Sequence, residues 1–197
     1  LLHKIASRTP IDKGWSCDRK FCAVTADGTR YLLRITPPEK SETRAALFAL
    51  LNQVAKLGIP MCRLVETGAC PEGVYSLYTW IDGQDAEAVV PALPETSQYE
   101  MGLEAGRILK RIHTIPAPPD QEPWYRRFTR KADGKIAKYR EAGIRFSGDG
   151  RVIEYLMTQR ELLRDRPQCF QHGDYHIGNM MVDQDGLAIM DFDRYDF

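Results

Sequence analysis

The sequence predicts an α+β chain in two parts. A small β-rich part surrounds one main helix, and a longer helix-rich part ends in a hairpin. Three observations predict it. Two runs of strand character, Phe21–Thr25 and Arg30–Thr36, flank Ala26-Asp27-Gly28-Thr29, and Asp-Gly between such runs is a strong hairpin signal. A stretch from about Ser41 to Leu57 is rich in Ala and Leu, lacks Pro and Gly, and stops at Gly58, as a helix does. After Asp82-Gly83 the apolar residues recur at helical spacing, until the last 25 residues return to strand.

Taken in order, Tyr31, Leu33 and Ile35 share one face of the second strand, and Leu32 and Arg34 share the other. Pro37-Pro38 stops that strand. Short strands are expected near Arg63–Glu66 and Val74–Trp80. Ser97 and Glu100 read as a capping box ahead of Met101, Ala105, Ile108, Leu109 and Ile112, and Pro116 closes that helix. A polar helix follows near Arg126–Arg140, and another near Arg151–Arg164 carries Val152, Leu156 and Leu163. Met180–Val182 and Leu187–Met190 then form strands joined by a turn at Asp183-Gln184-Asp185-Gly186. The boundary between the parts is placed at residue 81, giving lobes of residues 1–81 and 82–197 with a cleft between them.

Composition narrows the function. The chain has 197 residues, 27 Lys+Arg and 27 Asp+Glu, so its formal charge is zero, without the basic excess of a nucleic-acid binder. The longest apolar run, Ala45–Leu51, is far short of a membrane span, and the first residues lack the pattern of a signal peptide. Five cysteines, Cys17, Cys22, Cys62, Cys70 and Cys169, contain no CxxC pair and read as reduced thiols of a cytoplasmic protein. The expected partner is a small molecule, not nucleic acid or membrane; nothing in the sequence addresses oligomeric state. The chain begins without Met and ends on Asp191-Phe192-Asp193-Arg194-Tyr195-Asp196-Phe197, and it reads as a fragment.

The chemistry concentrates in Gln171-His172-Gly173-Asp174-Tyr175-His176-Ile177-Gly178-Asn179, followed after the hairpin by Asp191-Phe192-Asp193. Asn179 precedes the first strand and Asp191 follows the second. An antiparallel pair sets such ends about 5 Å apart. An amide oxygen and a carboxylate then converge at one end of the hairpin. Hard oxygen donors of that kind suit Mg²⁺, which takes one or two carboxylates plus phosphate oxygens. Asp174, in the loop just before, can accept a proton from an attacking hydroxyl or orient it. Each piece alone is a common loop sequence. The Asp-to-Asn spacing of five, with a hairpin ending in Asp191, is the specific part, and protein kinases share its order of base, amide ligand and metal carboxylate.

The run HGDYHIGNMM…IMDFDRYDF closely resembles the aminoglycoside phosphotransferase family, relatives of the protein kinases, whose signature is HGDxxxxN followed by IDFD or a variant. Supporting patterns are Tyr31-Leu32-Leu33-Arg34-Ile35, Gly58-Ile59-Pro60, Trp80-Ile81-Asp82-Gly83 and Ile108-Leu109-Lys110-Arg111-Ile112-His113. The resemblance implies a protein-kinase-like two-lobe fold and an ATP- and Mg²⁺-dependent transfer to a small-molecule hydroxyl. It matches Asp174 to the catalytic Asp, Asn179 and Asp191 to the Mg²⁺ ligands, and His172 to a brace of the catalytic loop. Arg34 takes the place of the strand cation on the ATP phosphates. Gly14 and Ser16, in Lys13-Gly14-Trp15-Ser16, fall in the nucleotide loop, and the backbone of Trp80 and Ile81 falls where the adenine edge is bound. The chain departs from the family in two places. A helix Glu that pairs with the strand cation is expected near Leu47, where the nearest carboxylate is Glu42, about one turn early. The family also continues past the DFD segment with Gly-Asp-Pro and helices of the acceptor pocket, so an incomplete C-terminal lobe and weak turnover are expected.

Charge layout bears on the acceptor. Asp82 to Gly106 holds six carboxylates and no Lys or Arg, whereas Arg126 to Arg140 holds seven basic residues and Asp133 alone. An acidic cleft would favour a cationic acceptor such as an aminoglycoside antibiotic, and a basic one an anionic or neutral metabolite; solvated surface faces explain both runs as well. Two other function classes stand beside the kinase. One is a nucleotide-binding module without catalysis, and the other is a metal-dependent phosphohydrolase using the same carboxylates.

Overall fold

A computed structural model describes residues 1–12 and 18–197, with backbone only for residues 40–43 and 45. Five strands, β1 (Ile5–Pro10), β2 (Arg19–Thr25), β3 (Arg30–Thr36), β4 (Leu64–Cys70) and β5 (Gly73–Thr79), form an antiparallel sheet in the order β1-β2-β3-β5-β4. The Asp27-Gly28 turn closes β2 on β3, with Gly28 at φ +85° and the Thr25 carbonyl accepting from the Gly28 N–H at 2.9 Å. Strand β3 matches the expected Arg30–Thr36, while β4 runs on to Cys70 and β1 has no counterpart in the sequence reading. Its Ile5-Ala6-Ser7-Arg8-Thr9-Pro10 lacks clean alternation and is almost wholly exposed, as an edge strand allows.

The alternation expected in β3 sorts its side chains to two environments. Leu33 and Ile35 join Ala23 and Leu77 in a buried cluster covered by Leu1, Leu2, Ile5, Phe21, Tyr31 and Tyr75. The other face carries Arg34, paired across β5 with Ser76, and both are buried. Helix α1 (Ser41–Lys56) buries Leu47, Leu51 and Val54 and ends at Gly58, whose φ of +65° suits only glycine without strain.

A second sheet in the same compact unit orders β6 (Gln84–Asp85), β7 (Met180–Asp183) and β8 (Gly186–Ile189). Leu187, Ala188 and Ile189 are buried, and the Ile189 N–H donates to the Pro60 carbonyl at 2.9 Å, so β8 is anchored beside the turn that follows α1. A short helix α2 (Ala86–Val89) and the long α3 (Glu95–Ile112) complete this unit, which comprises residues 1–115 and 172–196. Helix α3 begins at Glu95 behind Pro94, so Ser97 and Glu100 lie inside it and no capping box forms. Proline at the cap with fixed φ starts the helix two residues before the Ser that resembled a cap. Ile108 and Ile112 are its fully buried residues, as the helical spacing required.

The remaining unit, residues 116–171 with Phe197, contains α4 (Trp124–Glu141) and α5 (Asp149–Thr158). The helix expected over Arg151–Arg164 breaks after Thr158 and continues as a single tighter turn at Arg160–Leu163. Within this unit Arg130 pairs with Glu122 at 2.7 Å, Arg160 pairs with Asp133, and Phe170 packs edge-on against Phe197. No helix among the described residues is long and apolar enough to cross a membrane.

Leu77 is fully buried at the centre of the five-stranded sheet. Leu77→Ala is expected to cost about 2–5 kcal/mol through lost burial and the cavity it leaves, measured by urea unfolding; a loss below 1 kcal/mol would show that this cluster is not a packed core.

Candidate active site

The hairpin β7–β8 sets the frame of the site. Met180 pairs with Ile189, and the Met190 N–H donates to the Asn179 carbonyl at 2.9 Å. Asn179 therefore lies opposite Met190, with Asp191 one residue beyond. Strand β8 ends at Ile189, one residue earlier than expected, because Met190 bonds outside the ladder.

The loop entering the hairpin is held by the backbone of its exit. The His172 ring is buried, and its Nε2 lies 2.9 Å from the Met190 carbonyl, while Nδ1 accepts from the Asp174 N–H at 3.3 Å. These two partners assign the proton to Nε2. The ring also packs on Phe192 with centroids 4.5 Å apart. Burial pushes the imidazole below its ordinary value of 6.5, outweighing the Met190 carbonyl and the nearby Asp191 and Asp174 charges. Gly173 has φ +79°, and a Cβ there would meet the Arg194 carbonyl oxygen at 1.7 Å, so no other residue fits between the two segments. Tyr175 anchors the loop from outside by donating to the Ala105 carbonyl of α3 at 2.7 Å; burial pushes its hydroxyl up to about 12.

Those constraints present Asp174 with its side chain one-third exposed, within 3.7 Å of Arg194 and 3.6 Å of His176. His176 also caps the turn Ile177–Asn179, its Nδ1 accepting from the Gly178 N–H at 3.1 Å. Asn179 donates its amide nitrogen to the Asp174 carbonyl at 2.9 Å, which orients the amide and leaves its oxygen for another partner. Asp191 adopts φ +58°, a left-handed conformation unusual for a residue with a Cβ, and its buried Oδ1 has no hydrogen-bond partner among the described residues. A constrained backbone and an unpartnered carboxylate oxygen at one position fit a cation ligand. Among the described residues no group of three His, Cys, Asp or Glu side chains could hold a metal by itself. Asn179 and Asp191 therefore fit a hard cation that draws its remaining ligands from phosphate oxygens and water, as Mg²⁺ does.

Arg34 leads to a part of the site that the sequence reading missed. Its guanidinium lies in a buried four-charge cluster with Asp18, Arg44 and Asp193. Asp18 Oδ2 accepts from Arg34 Nε at 3.0 Å and Nη2 at 2.6 Å, and from Arg44 as well. Asp193 takes Arg34 Nη2 at 2.5 Å and a two-pronged bond from Arg44, at 2.5 and 3.0 Å. Burial alone would drive Arg34, Arg44 and Asp193 toward neutrality. The opposing charges reverse it, so the Asp193 carboxyl sits below its ordinary value and both guanidiniums sit above theirs. Arg34 thus has carboxylate partners, supplied from outside helix α1, where a helix Glu was expected. Helix α1 brings the cation Arg44 into the cluster. The signals in the sequence were slight: Arg44 stands directly before the apolar run Ala45–Leu51, Asp193 is the second Asp of Asp191-Phe192-Asp193, and Asp18 carries none.

Trp80 and Ile81 follow β5 and are half-buried. The Arg30 guanidinium lies 5.8 Å from the Trp80 ring centroid and pairs with Asp82. Arg30, Trp80, Asp82, Gly83 and Val182 line an open pocket of about 470 Å³. Gly14, Ser16 and the side chain of Glu42 lie outside the described residues. Of the thiols, burial pushes Cys62 up to about 11, so it stays protonated and inert near neutral pH.

The sequence matches the phosphotransferase enzyme family, APH, over residues 7–197. The chain belongs to that family. No curated protein matches it by sequence. The APH chain is similar in structure to the ADP-bound aminoglycoside phosphotransferase APH(2'')-Ib, with a TM-score of 0.69 and 15% identity over 98% of this chain and 67% of the other. It is also similar to APH(3'')-Id from Streptomyces rimosus, with a TM-score of 0.61 and 19% identity over 98% of this chain and 73% of the other. A third likeness is to the amicoumacin kinase hAmiN in complex with AMP-PNP and Ca²⁺, at 0.60 and 16% over 95% and 59%. At these identities the likeness establishes the fold, which is that of the kinase-like APH enzymes and the α+β class expected from the sequence.

The lowered pKa of His172 has a testable consequence. A folded value below 6.5 means the unfolded chain binds the proton first, so the stability from neutral His172 is complete above pH 6.5 and is lost as pH falls through the folded value. Denaturant midpoints between pH 8 and 5 should fall more steeply for the wild type than for His172→Gln. Parallel curves would mean the ring is not held neutral.

Proposed function

We propose that this APH-family chain transfers the γ-phosphoryl group of ATP to a hydroxyl of a small molecule in an Mg²⁺-dependent reaction. The observation that supports it most is the convergence of Asp174, Asn179 and Asp191 at one end of the β7–β8 hairpin, with Asp191 Oδ1 buried and unpartnered. In this reading Asn179 and Asp191 hold the metal, which when bound neutralises charge on the phosphate oxygens. Asp174, reachable from solvent, accepts a hydrogen bond from the acceptor hydroxyl and orients it for in-line attack, taking its proton as the new oxygen–phosphorus bond forms and the bond from the γ-phosphorus to the bridging oxygen breaks, releasing ADP. Arg34 contributes positive charge toward the phosphates. The backbone at Trp80 and Ile81 hydrogen-bonds the adenine edge, and Gly14 and Ser16 cover the phosphates. Glu42 is not required as the partner of Arg34 in this scheme, because Asp18 and Asp193 hold it. The boundary at residue 81 between a nucleotide lobe and a helical lobe belongs to the same proposal.

A cationic acceptor is the first class to test. The structures of APH(2'')-IIa with gentamicin and of APH(3'')-Id with ADP and streptomycin show aminoglycosides on similar folds, and residues 82–106 of this chain contain six carboxylates and no Lys or Arg.

The test is ADP release from Mg-ATP, with and without a panel of aminoglycosides. Acceptor-stimulated release that disappears in Asp174→Ala, with ATP affinity kept within about threefold, is expected. Asp191→Ala should instead abolish Mg²⁺-dependent ATP binding, and Asn179→Ala should be intermediate because water can replace one ligand. ATP binding without turnover would support a non-catalytic module, and phosphate release without an acceptor would support a hydrolase. Identical binding defects in Asp174→Ala and Asp191→Ala would refute the assignment of roles.

A further inference from the structure

The four-charge cluster has more structure than a cation waiting for phosphate needs. Four segments meet in it: the residue before β2 (Asp18), β3 (Arg34), α1 (Arg44) and the segment after β8 (Asp193). Asp193 is two residues from Asp191, whose φ of +58° and orphaned Oδ1 show a conformation imposed by its surroundings. Phe192 between them is buried against the His172 ring, so the Asp191–Asp193 segment is held at Phe192 by packing and at Asp193 by charge. Arg44 grips Asp193 with two nitrogens, a fork geometry that fixes direction as well as distance. The same guanidinium bonds Asp18, which in turn receives two nitrogens of Arg34. Its side chain is about 10% exposed, and both of its carboxylate partners are committed to Arg34 as well.

We propose that Arg44 is a positioning residue of the metal site: through Asp193 it holds Asp191 in its ligating conformation, and through Asp18 it keeps Arg34 directed at the phosphates. Asp18 takes over the pairing of the strand cation, and α1 is thereby free to supply a cation that braces the metal carboxylate. The proposal rests on the phosphotransferase reading, because it assigns Asp191 to the metal. Outer residues that hold a metal ligand are typically worth 10- to 100-fold in metal affinity.

The experiment is calorimetric titration of the full chain with ATP, with Mg²⁺ and with EDTA, comparing wild type, Arg44→Met, Asp193→Asn and the double variant. Arg44→Met should lose at least about tenfold of the Mg²⁺-dependent gain in ATP affinity while the EDTA value changes little. Asp193→Asn should behave alike, and the double variant should be no worse than either single one, since both break the same link. Arg44→Lys, which keeps the charge but not the fork, should recover only part of the loss. Where Arg44→Met fails to fold by circular dichroism, Asp193→Asn and Arg44→Lys carry the comparison, both being close in size to the native side chains. Equal weakening with Mg²⁺ and EDTA would overturn the proposal and make Arg44 a direct phosphate contact or a general support. Unchanged binding, or additive losses in the double variant, would overturn it too. A wild type that binds ATP with no Mg²⁺ dependence would overturn the phosphotransferase reading and this inference together, an outcome distinct from a responsive wild type with indifferent variants.

Discussion

Two arginines and two aspartates buried together hold the candidate site in place. Arg34 belongs to the sheet, Arg44 to the helix behind it, Asp18 to the approach to β2 and Asp193 to the exit of the β7–β8 hairpin. Removing such charges from water is expensive, and the cluster is tolerable only because each guanidinium meets two carboxylates and the formal charges cancel. One carboxylate oxygen, Asp18 Oδ1, has no partner among the described residues. Deleting any one member would strand the others in a dry environment, a loss of about 3–5 kcal/mol for a pair of this kind. The cluster is thus both a structural tie and a way of fixing where positive charge stands relative to Asp191.

The loop that carries Asp174 obeys a different constraint, the close approach of two backbones. Gly173 sits against the Arg194 carbonyl with no room for a Cβ, and His172 spans from the Met190 carbonyl to the Asp174 N–H. Asp191 accepts a left-handed backbone within the same few residues. Strain of that sort costs about 1–3 kcal/mol per residue and persists only where the surroundings over-determine it. Here the surroundings are the buried Phe192, the His172 ring and the ion pairs of Asp193. The outcome is a half-buried Asp174 whose carbonyl holds the Asn179 amide, close in the fold to the half-buried Asp191.

Much of this could be read from the chain before folding was considered. The Asp27-Gly28 hairpin, the α1 helix and the β7–β8 hairpin are local objects, specified by alternation, turn chemistry and helix punctuation over fewer than 20 residues each. The same holds for Asn179 and Asp191, whose backbones a short hairpin sets side by side, whereas the loop with Asp174 also depends on His172 and Tyr175. Strand β1 was not legible, because an exposed edge strand needs no apolar face. The start of α3 misled, because Ser97 and Glu100 have the form of a capping box but Pro94 starts the helix first.

Composition, local pattern and motif spacing by themselves determined an α+β chain, its hairpins, and the spacing of Asp174, Asn179 and Asp191 on which the phosphotransferase proposal rests. Only the tertiary structure decided how Arg34 is paired. Its partners stand 16 residues before it and 159 after it, with Arg44 arriving from the helix to bind the same two carboxylates. No local rule connects such distant residues. Their meeting follows from sheet order, the docking of α1 and the return of the chain after β8, and from the requirement that a charge buried by that packing find its opposite.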